Sequence, residues 1–165
     1  PEAIIIIPFR NPLQQSISLL QTHSKFCKMH ENDPFTRRYM SWLGHHEFGS
    51  THKPFWFGND IPIAENKYGP GSVNYWLTIW GNTYRYILKL APSGSIFVNF
   101  EELCRIPKTI LKSLFSRAGL SIEACTVDEK IQAPKIKTVE NIDTMLESQV
   151  MCIHQDLLVR AVQSF

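Results

Sequence analysis

The chain has 165 residues, of which 44% are hydrophobic and 19% charged, and this composition is typical of a globular domain rather than a disordered segment. Its formal net charge of +2 is too small to indicate binding to nucleic acid or to an anionic membrane. No apolar run reaches the length of about 18 residues that a transmembrane helix needs. We therefore expect a single domain over residues 1–165 with no transmembrane segment.

The chain begins with a strongly apolar run. Residues 3–8 include four consecutive isoleucines, Ile4–Ile7, which predict a β-strand buried on both faces. Asn11 and Pro12 then form a strong helix-start signal, with Asn11 as N-cap. Arg10 should therefore lie at the carboxyl end of a core strand beside a helix N-terminus, where anionic ligands bind in open α/β sheets.

The first predicted helix covers residues 12–30. Its apolar stripe contains Leu13, Ile17, Leu20 and Cys27, and a polar stripe contains Asn11, Gln14, Gln15 and Ser18. A second helix begins at Asp33-Pro34 and ends near Gly44. Residues 49–72 are rich in glycine, proline and aromatic residues, and a loop of this length is typical of a lid or a binding segment.

The second half of the chain repeats the alternation of helix and strand. The predicted elements are a helix over 73–90 that Ser72 could cap, a strand over 95–100, a helix over 108–118 that ends at Gly119, and one or two helices over 139–163.

The order of elements predicts an α/β fold with a parallel sheet and flanking helices. Two strands do not make a stable open parallel sheet. We therefore expect further strands from sequence upstream of Pro1, from residues 121–138, or from another chain. Because the chain starts inside an apparent core strand, it resembles the later part of a longer domain.

The four cysteines lie far apart, at Cys27, Cys104, Cys125 and Cys152. They form no Cys-x-x-Cys pair, so the sequence indicates neither a zinc site nor a disulfide framework. The adjacent His45, His46 and Glu47 do not have the His-Glu-x-x-His spacing that puts two imidazoles on one helix face. We expect free thiols and no metal site.

Arg10 and Ser18 are the first candidates for a binding role. A guanidinium offers planar paired donors that match phosphate oxygens, and a serine hydroxyl two helical turns later adds a neutral donor. Both could touch one phosphate. The alternative is structural, with Arg10 capping a neighbouring element and Ser18 facing solvent.

The segment from the first strand through Arg10-Asn11-Pro12 to Ser18 resembles the 3′-phosphate-binding segment of the PAPS-dependent sulfotransferases. A second resembling segment follows in the same order as in that family. It consists of Trp76, Trp80, Tyr84, the run Ile96-Phe97-Val98-Asn99-Phe100-Glu101-Glu102-Leu103, Pro107 and Ala118-Gly119-Leu120. The resemblance covers about residues 3–120, and residues 121–165 form a C-terminal helical region.

The resemblance implies a P-loop-like fold that transfers a sulfuryl group from PAPS (3′-phosphoadenosine 5′-phosphosulfate) to a hydroxyl or amine. Arg10 and Ser18 would hold the 3′-phosphate of this co-substrate. Phe100 would contact the adenine, at a position often occupied by tyrosine, and would lack the hydroxyl. Glu101 and Glu102 match the family's acidic pair and are also expected at a helix N-terminus, where the helix dipole stabilises carboxylates.

Two parts of the family pattern are missing from the chain. The Gly-rich loop that cradles the 5′-phosphosulfate and the catalytic base belong upstream of Pro1, so no catalytic residue is assigned here. We expect no turnover from this chain alone. The acceptor and the compartment stay open, because sulfotransferases work both in the cytosol and in secretory membranes.

Two other functions fit the sequence. The chain could belong to another P-loop enzyme, such as a nucleotide kinase, with Arg10 on a phosphate of ATP. It could also be a non-enzymatic interaction module that uses the aromatic residues of 49–72 as a contact surface. Arg37, Arg38 and Lys53 could form a basic rim that steers a nucleotide or an anionic acceptor, or they could be scattered cations on an exposed helix face.

Overall fold

The computed structural model describes residues 3–55, 57, 67–120 and 135–164. They divide into two compact units. The sheet unit is formed by Pro1–Asn11, Leu90–Ile136 and His154–Phe165. The helical unit is formed by Pro12–Lys89 and Lys137–Ile153. The predicted loop residues 58–66, the predicted strand positions 121–134 and Cys125 lie outside the described residues.

The sheet unit contains two parallel strands. β1 (Ile6–Phe9) pairs with β2 (Ile96–Asn99), in a register that runs from Ile6 opposite Ile96 to Phe9 opposite Asn99. The fold is therefore α/β and mostly helical, with a small parallel sheet. This confirms the prediction of an α/β fold with parallel strand pairing.

The prediction that the first strand is buried on both faces is wrong. Ile4, Ile5 and Ile6 are 45%, 41% and 47% exposed. In contrast, all of β2 except its last residue is buried, and Ile96 and Val98 pack with Leu114 in one apolar cluster. Among the described residues β1 has a strand neighbour on one side only, so its isoleucines lack the cover that a central strand would have.

Three helices complete the sheet unit. α4 (Phe100–Arg105) follows β2 directly, and the Asn99 side chain caps it by accepting the Glu102 N–H at 3.0 Å. α5 (Pro107–Arg117) starts on its proline and is followed by Gly119, whose φ of +65° suits a helix end. The second half of α6 (Thr144–Gln163) belongs to this unit, and the first half belongs to the helical unit.

The helical unit contains α1 (Pro12–Asn32), α2 (Pro34–Trp42) and α3 (Val73–Leu90, except its last residue). Asp33 caps α2 by accepting the Phe35 and Thr36 N–H groups at 2.9 and 3.2 Å, as the Asp-Pro signal predicts. Ser72 accepts the Asn74 N–H at 3.2 Å at the start of α3. The predicted bounds of these helices are confirmed to within a few residues.

The buried face of α1 differs from its predicted apolar stripe. Of Leu13, Ile17, Leu20 and Cys27, Ile17 alone is buried. The other buried positions are Pro12, Ser16, His23 and His30. Histidine can occupy a helix face that packs against a loop when its ring nitrogens bond to the loop, and this is the case here.

Cys27, Cys104 and Cys152 are free, as expected. Within the described part of the chain, no helix combines the length and the apolar character needed to cross a membrane.

Candidate functional site

Arg10 and Phe100 meet at the carboxyl edge of the two-stranded sheet. Phe9 and Asn99 form the last register pair, so Arg10 and Phe100 are the first residues after the two parallel strands. The guanidinium carbon Cζ of Arg10 lies 5.4 Å from the centroid of the Phe100 ring. This cation–π contact brings together two of the three predicted binding residues and contributes about 0.5–1 kcal/mol.

The Glu101 carboxylate is the second neighbour of Arg10. Its Oε1 lies 3.7 Å from Arg10 Nε, and the two side chains are 40% and 17% exposed. The carboxylate also accepts the backbone N–H of Asn11, at 3.1 Å to Oε1 and 3.3 Å to Oε2. Glu101 therefore ties the turn after β1 to the start of α4. It also places a negative charge beside the guanidinium, and this charge weakens the electrostatic attraction of an anionic ligand to Arg10.

The two members of the acidic pair have different partners. Glu102 faces Arg105 on its own helix, with 2.6 Å between Arg105 Nη2 and Glu102 Oε2 and 3.2 Å between Nε and Oε1. Arg105 lowers the pKa of Glu102. Both carboxylates lie in the first turn of α4, as predicted, but only Glu101 contacts Arg10.

Two buried titratable groups belong to the same unit. Burial lowers the pKa of His154, and Glu101 opposes this effect. Burial raises the pKa of the Cys104 thiol, Glu101 raises it further, and Arg10 opposes both. The His154 ring meets Phe9 edge-on, with the centroids 5.8 Å apart. Both groups are therefore neutral at pH 7 and add no charge near Arg10.

Ser18, the third predicted binding residue, belongs to the helical unit. Its hydroxyl donates to the Gln14 carbonyl at 3.0 Å and accepts from Lys137 Nζ at 3.3 Å. Lys137 Nζ also donates to Gln21 Oε1 at 2.6 Å. The alternative prediction, that Ser18 faces solvent, is wrong, because its side chain is half-buried beside the Lys137 ammonium.

Sequence reasoning missed Lys137. The side-chain amide of Gln14 accepts the Lys137 N–H at 2.9 Å and donates to the Lys137 carbonyl at 2.8 Å, which fixes this residue beside α1. The available signal was the polar stripe of α1, where Gln14, Ser18 and Gln21 follow at helical spacing. That stripe indicated a polar partner but not which residue of the chain supplies it.

Three aromatic residues of α3 are core residues. Trp76, Trp80 and Tyr84 are buried, and the rings of Trp80 and Tyr84 lie 4.6 Å apart, as their spacing predicts. Trp80 Nε1 donates to Gln15 Oε1 at 3.0 Å. Burial raises the pKa of Tyr84 to about 12. These three residues therefore serve as core packing and not as exposed binding groups.

The adjacent histidines have local partners. His45 Nδ1 lies 3.3 Å from Glu47 Oε1, and His46 Nδ1 donates to the Thr51 carbonyl at 3.1 Å. Across the described ranges, no three side chains of the metal-ligating types cluster in a way that could hold an ion.

No protein-family model matches this chain, and searches of curated proteins and of solved structures return no match.

Proposed function

We propose that this chain is the nucleotide-binding part of a PAPS-dependent sulfotransferase, in which Arg10 binds the 3′-phosphate and Phe100 packs against the adenine. The observation that carries the proposal is the meeting of these two side chains at the carboxyl edge of a parallel sheet. In α/β folds this edge is where ligands bind. A cation and an aromatic ring side by side suit a ligand that joins a phosphate to a flat heterocycle.

The environment of Arg10 supports a phosphate contact. The side chain is only 17% exposed, so its charge is screened less than that of a surface arginine. Its planar donors match two phosphate oxygens at once. A hydrogen bond to a charged group contributes about 1.5–3 kcal/mol, and the Glu101 carboxylate offsets part of this gain.

Ser18 is assigned to the same phosphate by the family resemblance alone. Its hydroxyl lies beside the Lys137 ammonium, 3.3 Å away, and this cation makes the surroundings of Ser18 favourable for an anion. Lys137 would be a second basic group for an anion bound at Ser18.

The proposed reaction is in-line attack of an acceptor hydroxyl or amine on the sulfur of PAPS. The new bond joins the acceptor to sulfur, the bond from sulfur to the bridging phosphate oxygen breaks, and adenosine 3′,5′-bisphosphate leaves. A base takes the acceptor proton. We assign the base and the Gly-rich loop to a segment or chain outside residues 1–165, which would also supply neighbouring strands. Arg10 anchors the nucleotide and takes no part in the chemistry.

The test compares three nucleotides by titration calorimetry. Adenosine 3′,5′-bisphosphate should bind more tightly than adenosine 5′-phosphate, which lacks the 3′-phosphate, and than ATP. Arg10→Ala should weaken bisphosphate binding by about 1.5–3 kcal/mol. Arg105→Ala is the matched control, because it removes the same charge from an exposed arginine that pairs with Glu102.

Three results would reject the proposal. Equal affinity for the bisphosphate and for adenosine 5′-phosphate would show that the 3′-phosphate makes no favourable contact with the chain. Preferential ATP binding would favour a kinase-like enzyme. Absence of binding by all three nucleotides, with Arg10→Ala unchanged in every assay, would favour an interaction module.

A further inference from the structure

Two histidines hold the loop that follows α2 against α1. His23 Nδ1 accepts the backbone N–H of Gly49 at 3.3 Å, and His30 Nδ1 accepts that of Ser50 at 3.2 Å. The two histidines are seven positions apart on α1, so they share one helix face, and they are only 7% and 2% exposed. Two consecutive loop amides thus bond to two imidazoles of one helix. We call residues 44–53 the latch loop.

These bonds need both rings in one neutral form. A backbone N–H can only donate, so each Nδ1 must present a lone pair and the proton must be on Nε2. The Nε2 atoms have sulfur partners, since His23 Nε2 lies 3.4 Å from Cys27 Sγ and His30 Nε2 lies 3.2 Å from Met40 Sδ. A second proton on either ring would be attached to Nδ1 and would point at the amide hydrogen of the loop. Protonation therefore breaks each hydrogen bond from a loop amide, and at His30 the new Nδ1–H can donate instead to the Ser50 hydroxyl, whose Oγ lies 3.2 Å from Nδ1.

Gly49 allows the close approach of the loop. Its φ is +85°, and an added Cβ would lie 2.4 Å from His30 Cε1 and 2.6 Å from His30 Nδ1. Both the backbone conformation and the lack of space therefore require glycine. Gly44 in the same loop also has a positive φ, +73°, but nothing lies within 4 Å of its added Cβ. The two glycines differ in their contact with the histidine.

The surroundings of His23 disfavour its charged form. The His52 ring of the latch loop lies 5.4 Å away and the Trp76 ring of α3 lies 5.3 Å away. The titratable neighbours are Cys27 and His52, and His52 Nε2 accepts from the Tyr75 hydroxyl at 2.7 Å. Burial and His52 lower the pKa of His23. No carboxylate of the described residues contacts this ring to offset those effects.

The surroundings of His30 are apolar or neutral. Beyond its loop and sulfur contacts, its ring meets Phe26 edge-on at 6.3 Å. No charged side chain in the described ranges contacts it. The other ionisable groups at the start of the loop are His45, His46 and Glu47, whose partners lie within the loop itself.

We propose that His23 and His30 form a pH-operated latch, which holds the latch loop on α1 while both rings are neutral and releases it when the rings take up a proton. Release moves His52 away from Tyr75 and exposes the faces of α1 and α3 that the loop covers. The device is independent of the proposed nucleotide site. The latch depends on hydrogen bonds that are lost when each ring takes up one proton.

The test follows hydrogen exchange of single amides in the full chain at pH 7.5, 6.0 and 5.0, corrected for the pH dependence of intrinsic exchange. The Gly49 and Ser50 amides should be protected at pH 7.5 and should lose protection progressively at pH 6.0 and 5.0, by up to about tenfold per pH unit. The Leu77 and Trp80 amides of α3 should keep their protection and so show that the chain stays folded.

Variants separate the latch from general strain. The double variant His23→Asn/His30→Asn keeps an oxygen acceptor for each loop amide and cannot titrate, so loop protection should not depend on pH. Gly49→Ala should leave the loop open at pH 7.5. Gly44→Ala strains the backbone equally without the clash and should retain the protection of the Gly49 and Ser50 amides.

The wild-type chain alone decides the outcome if a variant fails to fold. Nitrogen NMR at pH 7.5 should find the Nε2–H form of both His23 and His30. An Nδ1–H form of either ring overturns the proposal, and so does constant protection of the Gly49 and Ser50 amides down to pH 5.0. Loss of their protection together with that of Leu77 would also overturn it, because the transition would then be global unfolding.

Discussion

The guanidinium of Arg10 lies over the ring of Phe100, with 5.4 Å between Cζ and the ring centroid. The two residues follow strands that pair in parallel, so the pairing itself sets their proximity. Glu101 restrains the guanidinium from a second direction, 3.7 Å from Nε to Oε1. The proposed phosphate anchor is therefore held by its own unit before any ligand binds.

Replacement of Phe100 should affect nucleotide binding through the loss of a flat surface. Phe100→Leu should weaken binding of adenosine 3′,5′-bisphosphate by about 0.5–1.5 kcal/mol, because leucine offers neither stacking nor the cation–π contact to Arg10. Phe100→Tyr should bind at least as tightly as the wild type. Titration calorimetry measures both. Phe115→Leu, on half-buried Phe115 of α5, is the control and should leave affinity unchanged.

Neutralising Glu101 should strengthen anion binding. In Glu101→Gln the side-chain oxygen still accepts the Asn11 N–H, but the negative charge beside Arg10 is gone. Bisphosphate affinity should rise by about 1 kcal/mol, the Coulomb energy of two unit charges about 4 Å apart in water. Glu102→Gln is the control, since Glu102 pairs with Arg105. Weaker binding by Glu101→Gln would mean that the carboxylate is needed to orient Arg10.

Ser18→Ala should cost less affinity than Arg10→Ala. The serine hydroxyl is a neutral donor, so its removal should weaken bisphosphate binding by about 0.5–1.5 kcal/mol. Calorimetry under the same conditions as for Arg10→Ala gives the comparison. Thr22→Ala, one turn further along α1, removes a hydroxyl that bonds to the Ser18 carbonyl and should leave affinity unchanged. A larger loss of affinity for Ser18→Ala than for Arg10→Ala would mean that Ser18, and not Arg10, is the main phosphate anchor.

Stability should fall as the pH drops from 7 to 5. Burial places the pKa of His154 below its usual value of 6.5, so the unfolded chain takes up a proton at a higher pH than the folded one. The stabilising effect of the neutral histidine is therefore lost as the pH falls from about 6.5 towards the folded pKa. Between pH 7 and pH 5, the free energy of unfolding measured with urea should fall less for His154→Leu than for the wild type. An equal loss in both would exclude His154 as a contributor.

The exposed isoleucines of the sheet unit should make the chain associate with itself. Ile4, Ile5 and Ile6 present an apolar surface beside a strand edge, and such edges pair with other chains. Sedimentation velocity should find concentration-dependent oligomers that Ile4→Lys reduces. Ile136→Lys is the control, because Ile136 is a single exposed side chain in the same unit. A monomer at all concentrations would contradict this expectation.

The helix starts and ends were predictable from the sequence because they depend on neighbouring residues. Asp33 bonds to amides two and three positions later, and Ser72 bonds to the amide two positions later. Gly119 has the positive φ that a helix end requires. The parallel pairing of the strands also followed from the alternation of strand and helix. The exposure of β1 could not be predicted. Four consecutive isoleucines favour a buried strand, but they do not show whether another part of the protein packs over it.

The sequence by itself determined the order of elements, their ends, and the position of Arg10 after a strand, since hydrogen bonds within a few residues and the period of the apolar pattern decide these features. Only the tertiary structure decided that Glu101 faces Arg10, that Lys137 reaches Ser18, and that buried histidines of α1 bond to a loop. Each of those contacts joins residues far apart in the chain. Such a contact depends on the path of the backbone, and no local preference encodes it.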